Sequence, residues 1–406
     1  MDFNDTREEA AFRAEARAFL DAHAQQFVAA RRNETEAKYV ERGKRWQKIK
    51  YENGWACLNW PKEYGGRGAT PMEQIIWGQE ESRYDLPVGP FAIGLGMCGP
   101  TMIAYATEAQ KREQLPLMAS GEHIWCQLFS EPAGGSDLAA LRTRAVRDGD
   151  DWVINGQKIW TSGAHYSDWG ILVTRTDPNV PKHKGLTFFF LDMHSPGVEV
   201  KPIKQISGGA NFNEVYFTDV RIPDAQRLGG VGQGWQVSIT TLMNERLAVG
   251  NAGGADVEEL ISLARAVKID GKPALKNAAV REKIAEWYCQ TSGLKFTNYR
   301  VISALSRGQT PGPENSITKV VSATKQQDVG SFGIDLMDMG GILMDARKVP
   351  GQLAFQSNFL GAPGYRIAGG TDEILRNIIA ERVLGLPADI RVDKNVPFNQ
   401  VPSGAH

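Results

Sequence analysis

The chain has 406 residues, 42% of them hydrophobic and 23% charged, the balance of a soluble globular protein with a large core. Its 46 Lys plus Arg against 47 Asp plus Glu give a formal net charge of -1, without the basic excess of a nucleic-acid binder. No uninterrupted apolar run reaches the roughly 20 residues a membrane helix needs, and roughly 150 residues per domain predicts two or three folding units.

The N-terminal stretch MDFNDTREEAAFRAEARAFL is acidic and lacks the basic start and apolar core of a secretory signal. Phe12, Ala16, Phe19 and Leu20 recur at helical spacing, with Asp5 or Thr6 as the cap. Helical spacing continues to about Gly121, interrupted at 60–71 (WPKEYGGRGATP) and 86–96 (LPVGPFAIGLG), both read as loops. From Glu122 to about Gln233 the period alternates. DWVINGQKIWTS reads as two strands around an Asn155-Gly156 hairpin turn, and strand-like runs follow at 185–193, 197–204 and 213–223. After Gly234 helical spacing returns, with Ile239, Leu242, Met243 and Leu247 on one face, and Ile284, Trp287 and Tyr288 on another. A glycine turn at 369–370, with Thr371 or Asp372 as cap, starts a last helix before Pro387. The expected fold class is α+β multidomain: an N-terminal helical domain (1–121), a central antiparallel β domain (122–233) and a C-terminal helical domain resembling a four-helix bundle (234–406).

Cys57, Cys98, Cys126 and Cys289 are scattered and form no CxxC pair, so no metal site or disulfide framework is expected. They read as small buried hydrophobes in a reducing compartment, the cytoplasm. The six histidines lie far apart and read as structural or surface groups.

Residues 126–177 hold the densest polar signal. Gly134, Gly135 and Ser136 read as a turn, followed by a hairpin bearing Trp160, Thr161 and Ser162. The glycines let backbone N–H groups approach a ligand, Ser130 and Ser162 offer hydroxyls, and Trp160 offers a stacking face. This fits a planar heteroaromatic cofactor, or else a hairpin with a core Trp and solvated serines. In LMNERLAVG (242–250), Glu245 is either a solvated helix-face charge or a base. Its helical neighbours Ser238, Thr241, Ala248 and Ala252 are small, and Gly250, Gly253 and Gly254 permit close backbone approach.

SEPAGGSD (130–137) and GQKIWTSG (156–163) resemble the central signature of the acyl-CoA dehydrogenase family, TEPxxGSD followed by GxKxWxTN. GWACLNWPKEYGGRG (54–68), NEVYFTDVRIP (213–223), GGVGQGW (229–235) and IAGGTDEILRNIIAERVLG (367–385) resemble further family segments in the same order. The resemblance implies FAD and α,β-desaturation of an acyl-CoA thioester, with electrons passed to an electron-transfer flavoprotein. By matching position Phe129 and Ser130 lie along the flavin, Trp160 stacks near its ring, Ser162 lies close to N5 and Ser136 toward the acyl-CoA entrance. Thr371 and Glu373 contact the cofactor, across a subunit interface in a homotetramer or an α2β2 heterotetramer.

Many members carry the base directly before the GT of the last run, where this chain has Gly369; its backbone N–H remains a donor for the thioester carbonyl. Members resembling isovaleryl- and long-chain acyl-CoA dehydrogenases carry the base on the first helix of the third domain, which matches Glu245 and makes it both base and substrate contact. Arg246 reads as a semi-buried structural cation. Two features depart from the family: no RxxFG segment for the FAD pyrophosphate is recognisable, and Met337 replaces a frequent glutamine. An oxidase using oxygen, a non-catalytic pairing subunit and a nucleic-acid-binding homologue are the competing readings, the last opposed by the neutral charge.

Overall fold

The computed structural model describes residues 5–28, 34–248, 255–305, 307, 312–345, 347–349 and 353–401. They form two compact units, one from Met1–Lys204, Ala210–Ala248 and Arg391–His406, the other from Gln205–Gly209 and Val249–Ile390.

The first unit opens with helices α1 (Arg7–His23), α2 (Glu36–Glu52), α3 (Pro71–Glu81), α4 (Gly99–Tyr105) and α5 (Glu108–Ser120). Thr6, not Asp5, caps α1: its hydroxyl accepts from the Glu9 N–H, and the Glu9 carboxylate accepts from the Thr6 N–H. A cap of this kind contributes about 1 kcal/mol. Asp5 pairs with Arg13 instead. Phe12, Ala16, Phe19 and Leu20 are buried with Trp46, Trp55 and Trp77. The run 86–96 is not simply a loop, because a π-helical turn at Gly94–Cys98 leads straight into α4. Gly99, the first residue of α4, serves close approach: a Cβ there would lie 1.9 Å from the Trp60 ring.

Eight strands follow: β1 (Trp125–Leu128), β2 (Arg144–Asp148), β3 (Asp151–Lys158), β4 (Trp169–Arg175), β5 (Leu186–Asp192), β6 (Val198–Ile203), β7 (Phe212–Pro223) and β8 (Arg227–Leu228). Their order is β6-β7-β3-β2-β4-β5-β8, antiparallel except that β1 pairs in parallel with β4 and β2 meets β4 in parallel at one residue pair. Phe188–Leu191 are apolar at every position because β5 is buried on both faces. Phe188 and Phe190 enter a core shared with Met102, Leu115 and Val237, while Phe189 and Leu191 enter another with Trp152 and Val220.

Asn155-Gly156 is not a hairpin turn. The β2–β3 turn falls at Gly149-Asp150, and β3 runs through Asn155-Gly156 with a bulge against β7. Asn155 exchanges two hydrogen bonds with Asp219, and a Cβ on Gly156 would lie 2.5 Å from the Thr143 hydroxyl. The glycine admits the residue that leads into β2, a need that no local pattern reveals.

Helix α6 (Gly234–Ala248) packs against β5, α4 and the π-helical turn. The expected apolar arc is not its packed face, since Ile239 and Met243 are exposed. Gly234, Val237, Ser238 and Thr241 form the buried stripe, because small groups let the helix come close. Thr241 Oγ1 lies 2.8 Å from Thr101 Oγ1 in a hydrogen bond across this contact. The side chains of Arg246, Leu247 and Ala248, and all of Gly250, Ala252, Gly253 and Gly254, lie outside the described residues.

The second unit is helical, with α7 (Val257–Ala266), α8 (Ala278–Leu305), α9 (Ser316–Leu336), α10 (Ala354–Tyr365) and α11 (Asp372–Ile378). Leu260, Leu263, Ile284, Trp287, Val329, Met337 and Phe355 form its core. Tyr288 does not join Ile284 and Trp287 there but is exposed. Cys57, Cys98 and Cys126 are buried as expected, whereas Cys289 is exposed. Among the described residues no helix is long and apolar enough to cross a membrane.

Candidate functional site

The polar residues of 126–177 converge at the end of β1. Phe129 turns its ring into the core, edge-on to Phe188 at 5.7 Å, so only its main chain is left for a ligand. The next residue, Ser130, is half-buried and accepts from the Ile159 N–H at 2.9 Å, which joins the SEP run to the residue before Trp160.

Beneath this link lies a buried ion pair. The Glu131 carboxylate accepts from Lys158 Nζ at 2.8 Å and from the N–H groups of Arg142 and Thr143 at 2.6 and 2.9 Å. Lys158, fully buried, also donates to the Phe129 carbonyl at 3.0 Å. Burial alone would raise the Glu131 carboxyl, but the Lys158 charge and these donors hold it below the usual carboxylate range. Nothing in the SEP run itself points to Lys158 as the partner of Glu131. The available signal was a lysine at an inward position of β3, which requires a carboxylate.

Beyond Lys158 the chain is clamped. The Thr161 N–H donates to the Asn213 carbonyl at 3.0 Å, and the Asn213 amide returns to the Thr161 carbonyl at 2.9 Å. His165 contacts Asn213 Oδ1 at 3.2 Å and Glu36 at 2.7 Å. Trp160 is held between these clamps at φ 61, a left-handed conformation that costs a non-glycine residue about 1 kcal/mol. The residue is 56% exposed, with the Phe212 ring perpendicular to its indole at 6.1 Å between ring centres. A large aromatic held out of the core in strained backbone, beside the half-buried Ser130 and Ser162, suits a planar heteroaromatic ring. Among the described residues the buried Thr161 hydroxyl has no hydrogen-bond partner. Ser136 is exposed on the turn after Gly135.

Glu245 falls four residues after Thr241, on the stripe of small residues rather than opposite the packed face. It is half-buried, and the Gln127 side-chain amide donates to its carboxylate at 3.2 Å. Gln127 lies on β1, three residues before Ser130, a span of roughly 10 Å in extended chain. The carboxylate and the Ser130–Trp160 region are thus brought together through one short strand. Nothing in the sequence marked Gln127.

The remaining expected residues belong to the second unit. Gly369 and Gly370 have φ of 64 and 94, and Lys319 on α9 donates to the Gly370 carbonyl at 2.7 Å. Thr371 caps α11 by accepting from the Ile374 N–H. Asp372 is buried and paired with Arg366 at 2.7 Å. Glu373 is exposed, and its own backbone N–H and the Thr371 hydroxyl hold it below the usual carboxylate range.

The chain matches three family models in order: the acyl-CoA dehydrogenase N-terminal domain at residues 6–122, the middle domain at 126–220 and the C-terminal domain at 232–384. It is 35% identical to the acyl-CoA dehydrogenase IpdE1 of Mycobacterium tuberculosis over 94% of this chain and 98% of that protein. It is 38% identical to the acyl-CoA dehydrogenase FadE34 of the same organism over 83% of this chain, spanning 45% of FadE34's length. The solved steroid ACAD Tcur3481-Tcur3483 superposes with a TM-score of 0.78 at 30% identity, covering 96% of this chain and 100% of that one.

Proposed function

The chain belongs to the acyl-CoA dehydrogenase family of flavoprotein oxidoreductases, and from that membership we propose that it desaturates an acyl-CoA thioester between Cα and Cβ. Glu245 takes the α-proton. The observation that supports this role is the Gln127 amide donating to the half-buried carboxylate at the end of a buried helix face. Gly369 offers its backbone N–H to the thioester carbonyl, where negative charge develops. FAD, when bound, supplies the acceptor for the hydride that leaves Cβ.

Trp160 supplies the stacking face for that group, Ser130, Ser162 and the Phe129 main chain its polar edge contacts, and Thr371 and Glu373 further contacts across a subunit interface. Ser136 belongs to the acyl-CoA entrance. Electrons pass to an electron-transfer flavoprotein. The assembly is a homotetramer or an α2β2 heterotetramer with a related chain, the latter in keeping with the paired names of the steroid ACAD. The protein works in the cytoplasm with the domain division 1–121, 122–233 and 234–406.

Similarity to a steroid ACAD makes the CoA thioester of a steroid side chain the first substrate to try, beside straight and branched acyl-CoAs. The test is anaerobic titration of the purified flavoprotein with such a panel. Loss of the flavin's visible absorbance with one of them is expected, and full colour after every thioester would overturn the reading. Substrate-dependent peroxide formation in air would identify an oxidase instead.

A further inference from the structure

The C-terminal segment of the first unit returns to the central sheet beside the SEPAGGSD run. Pro397 bridges Pro181, the Phe398 N–H donates to the Val180 carbonyl at 3.0 Å, and the Asn399 N–H donates to the Pro178 carbonyl at 3.0 Å. Two buried cations join this segment to the residues after Ser136. Lys182 Nζ donates to Asp137 at 2.7 Å and to Asp393 at 2.5 Å. The Arg175 guanidinium lies 3.5 Å from the centre of the Phe398 ring. The same guanidinium donates to the carbonyls of Ala139, Leu141 and Lys182 at 2.5, 3.0 and 3.2 Å.

Lys182 and Arg175 are 7% and 5% exposed, so each is a desolvated charge that its partners must compensate. Burial opposes the Lys182 charge, yet Asp137 and Asp393 together hold its ammonium above the usual range. The Asp393 carboxylate is held below its usual range by Lys182. Residues 137, 139 and 141 are therefore anchored by cations whose other sides are covered by the C-terminal segment. Ser136 is the residue directly before the first anchor.

We propose that residues 391–401 act as a strap that fixes the 131–141 loop in its acyl-CoA-binding shape, with Lys182 as the positioning residue between strap and loop. The inference rests on the reading of Ser136 as part of the acyl-CoA entrance. An ordered loop meets the nucleotide-bearing substrate without first losing conformational freedom, so the strap acts on substrate binding rather than on the chemical step.

The test uses the full-length holoenzyme with Asp393→Asn and Phe398→Ala, which loosen the strap and leave Glu245, Trp160 and Ser136 in place. Loss of the ordering contribution of one or two side chains should raise KM for the acyl-CoA roughly threefold to tenfold with kcat and FAD content unchanged. Hydrogen exchange of the 131–141 amides should quicken in both variants. Unchanged exchange in that segment, or unchanged KM in both variants, overturns the strap. A parent flavoprotein that no acyl-CoA bleaches would overturn the functional reading alone, since exchange tests the strap without substrate.

Discussion

The side-chain amide of Gln127 donates to the carboxylate of Glu245 across 3.2 Å, joining a strand to a helix 118 residues further along the chain. The contact fixes the direction of the acid and follows from the close packing of α6 through Thr241 and Thr101. If Glu245 takes the α-proton, Glu245→Gln should keep bound FAD and slow substrate bleaching of the flavin by roughly 10²–10⁴-fold. Stopped-flow absorbance under nitrogen checks this, and a variant that keeps most of its rate refutes the assignment.

Gln127→Leu separates aiming from chemistry. The acid remains but loses the Gln127 donor, so kcat should fall about tenfold or more while FAD content and the far-ultraviolet spectrum stay unchanged. A kcat equal to that of the parent protein would mean that the amide has no part in positioning the base.

Trp160→Gly tests the strained indole. Glycine adopts φ near 61 without the strain of about 1 kcal/mol, so the melting temperature of the apoprotein should change little. Retention of FAD through gel filtration should drop sharply, because the stacking face is gone. Full retention would show that the ring is not a cofactor contact.

Glu131→Gln leaves Lys158 buried without a counter-charge and should lower stability by about 3–5 kcal/mol. Adding Lys158→Met should recover part of that loss, as measured by denaturant unfolding. Acid should act in the same direction in the parent protein. The folded-state Glu131 pKa is depressed, so its contribution is complete above the unfolded value of about 4.3 and is lost as pH falls through the folded value. Equal acid sensitivity of parent and Glu131→Gln proteins would contradict this.

Gly156→Ala places a methyl group 2.5 Å from the Thr143 hydroxyl and 2.7 Å from its Cα, so the segment entering β2 must move away from β3. The expected loss is roughly 1–3 kcal/mol by thermal unfolding. An unchanged melting temperature would show that the bulge has room to spare.

The change of period near residues 122 and 234, a cap at Asp5 or Thr6 and the strand at 185–193 were legible because they depend on neighbours within a few residues. The helix–sheet–helix order and the family motifs were legible for the same reason. The packed face of α6 was not, because counting large apolar residues selected Ile239 and Met243, whereas contact with α4 selected Ser238 and Thr241. Asn155-Gly156 misled in the same way: the dipeptide favours a turn locally, but pairing with β7 makes it a bulge inside β3, and Thr143 packs where a Cβ on Gly156 would lie.

By itself, then, the sequence determined which residue types were at hand and the order of the elements bearing them. Tertiary structure alone decided their partners: Lys158 for Glu131 at a separation of 27 residues, Gln127 for Glu245 at 118, and Asp393 for Lys182 at 211. The physical reason is that a buried charge or a close helix contact is defined by what lies opposite, and chain folding, not chain order, brings that opposite group into place.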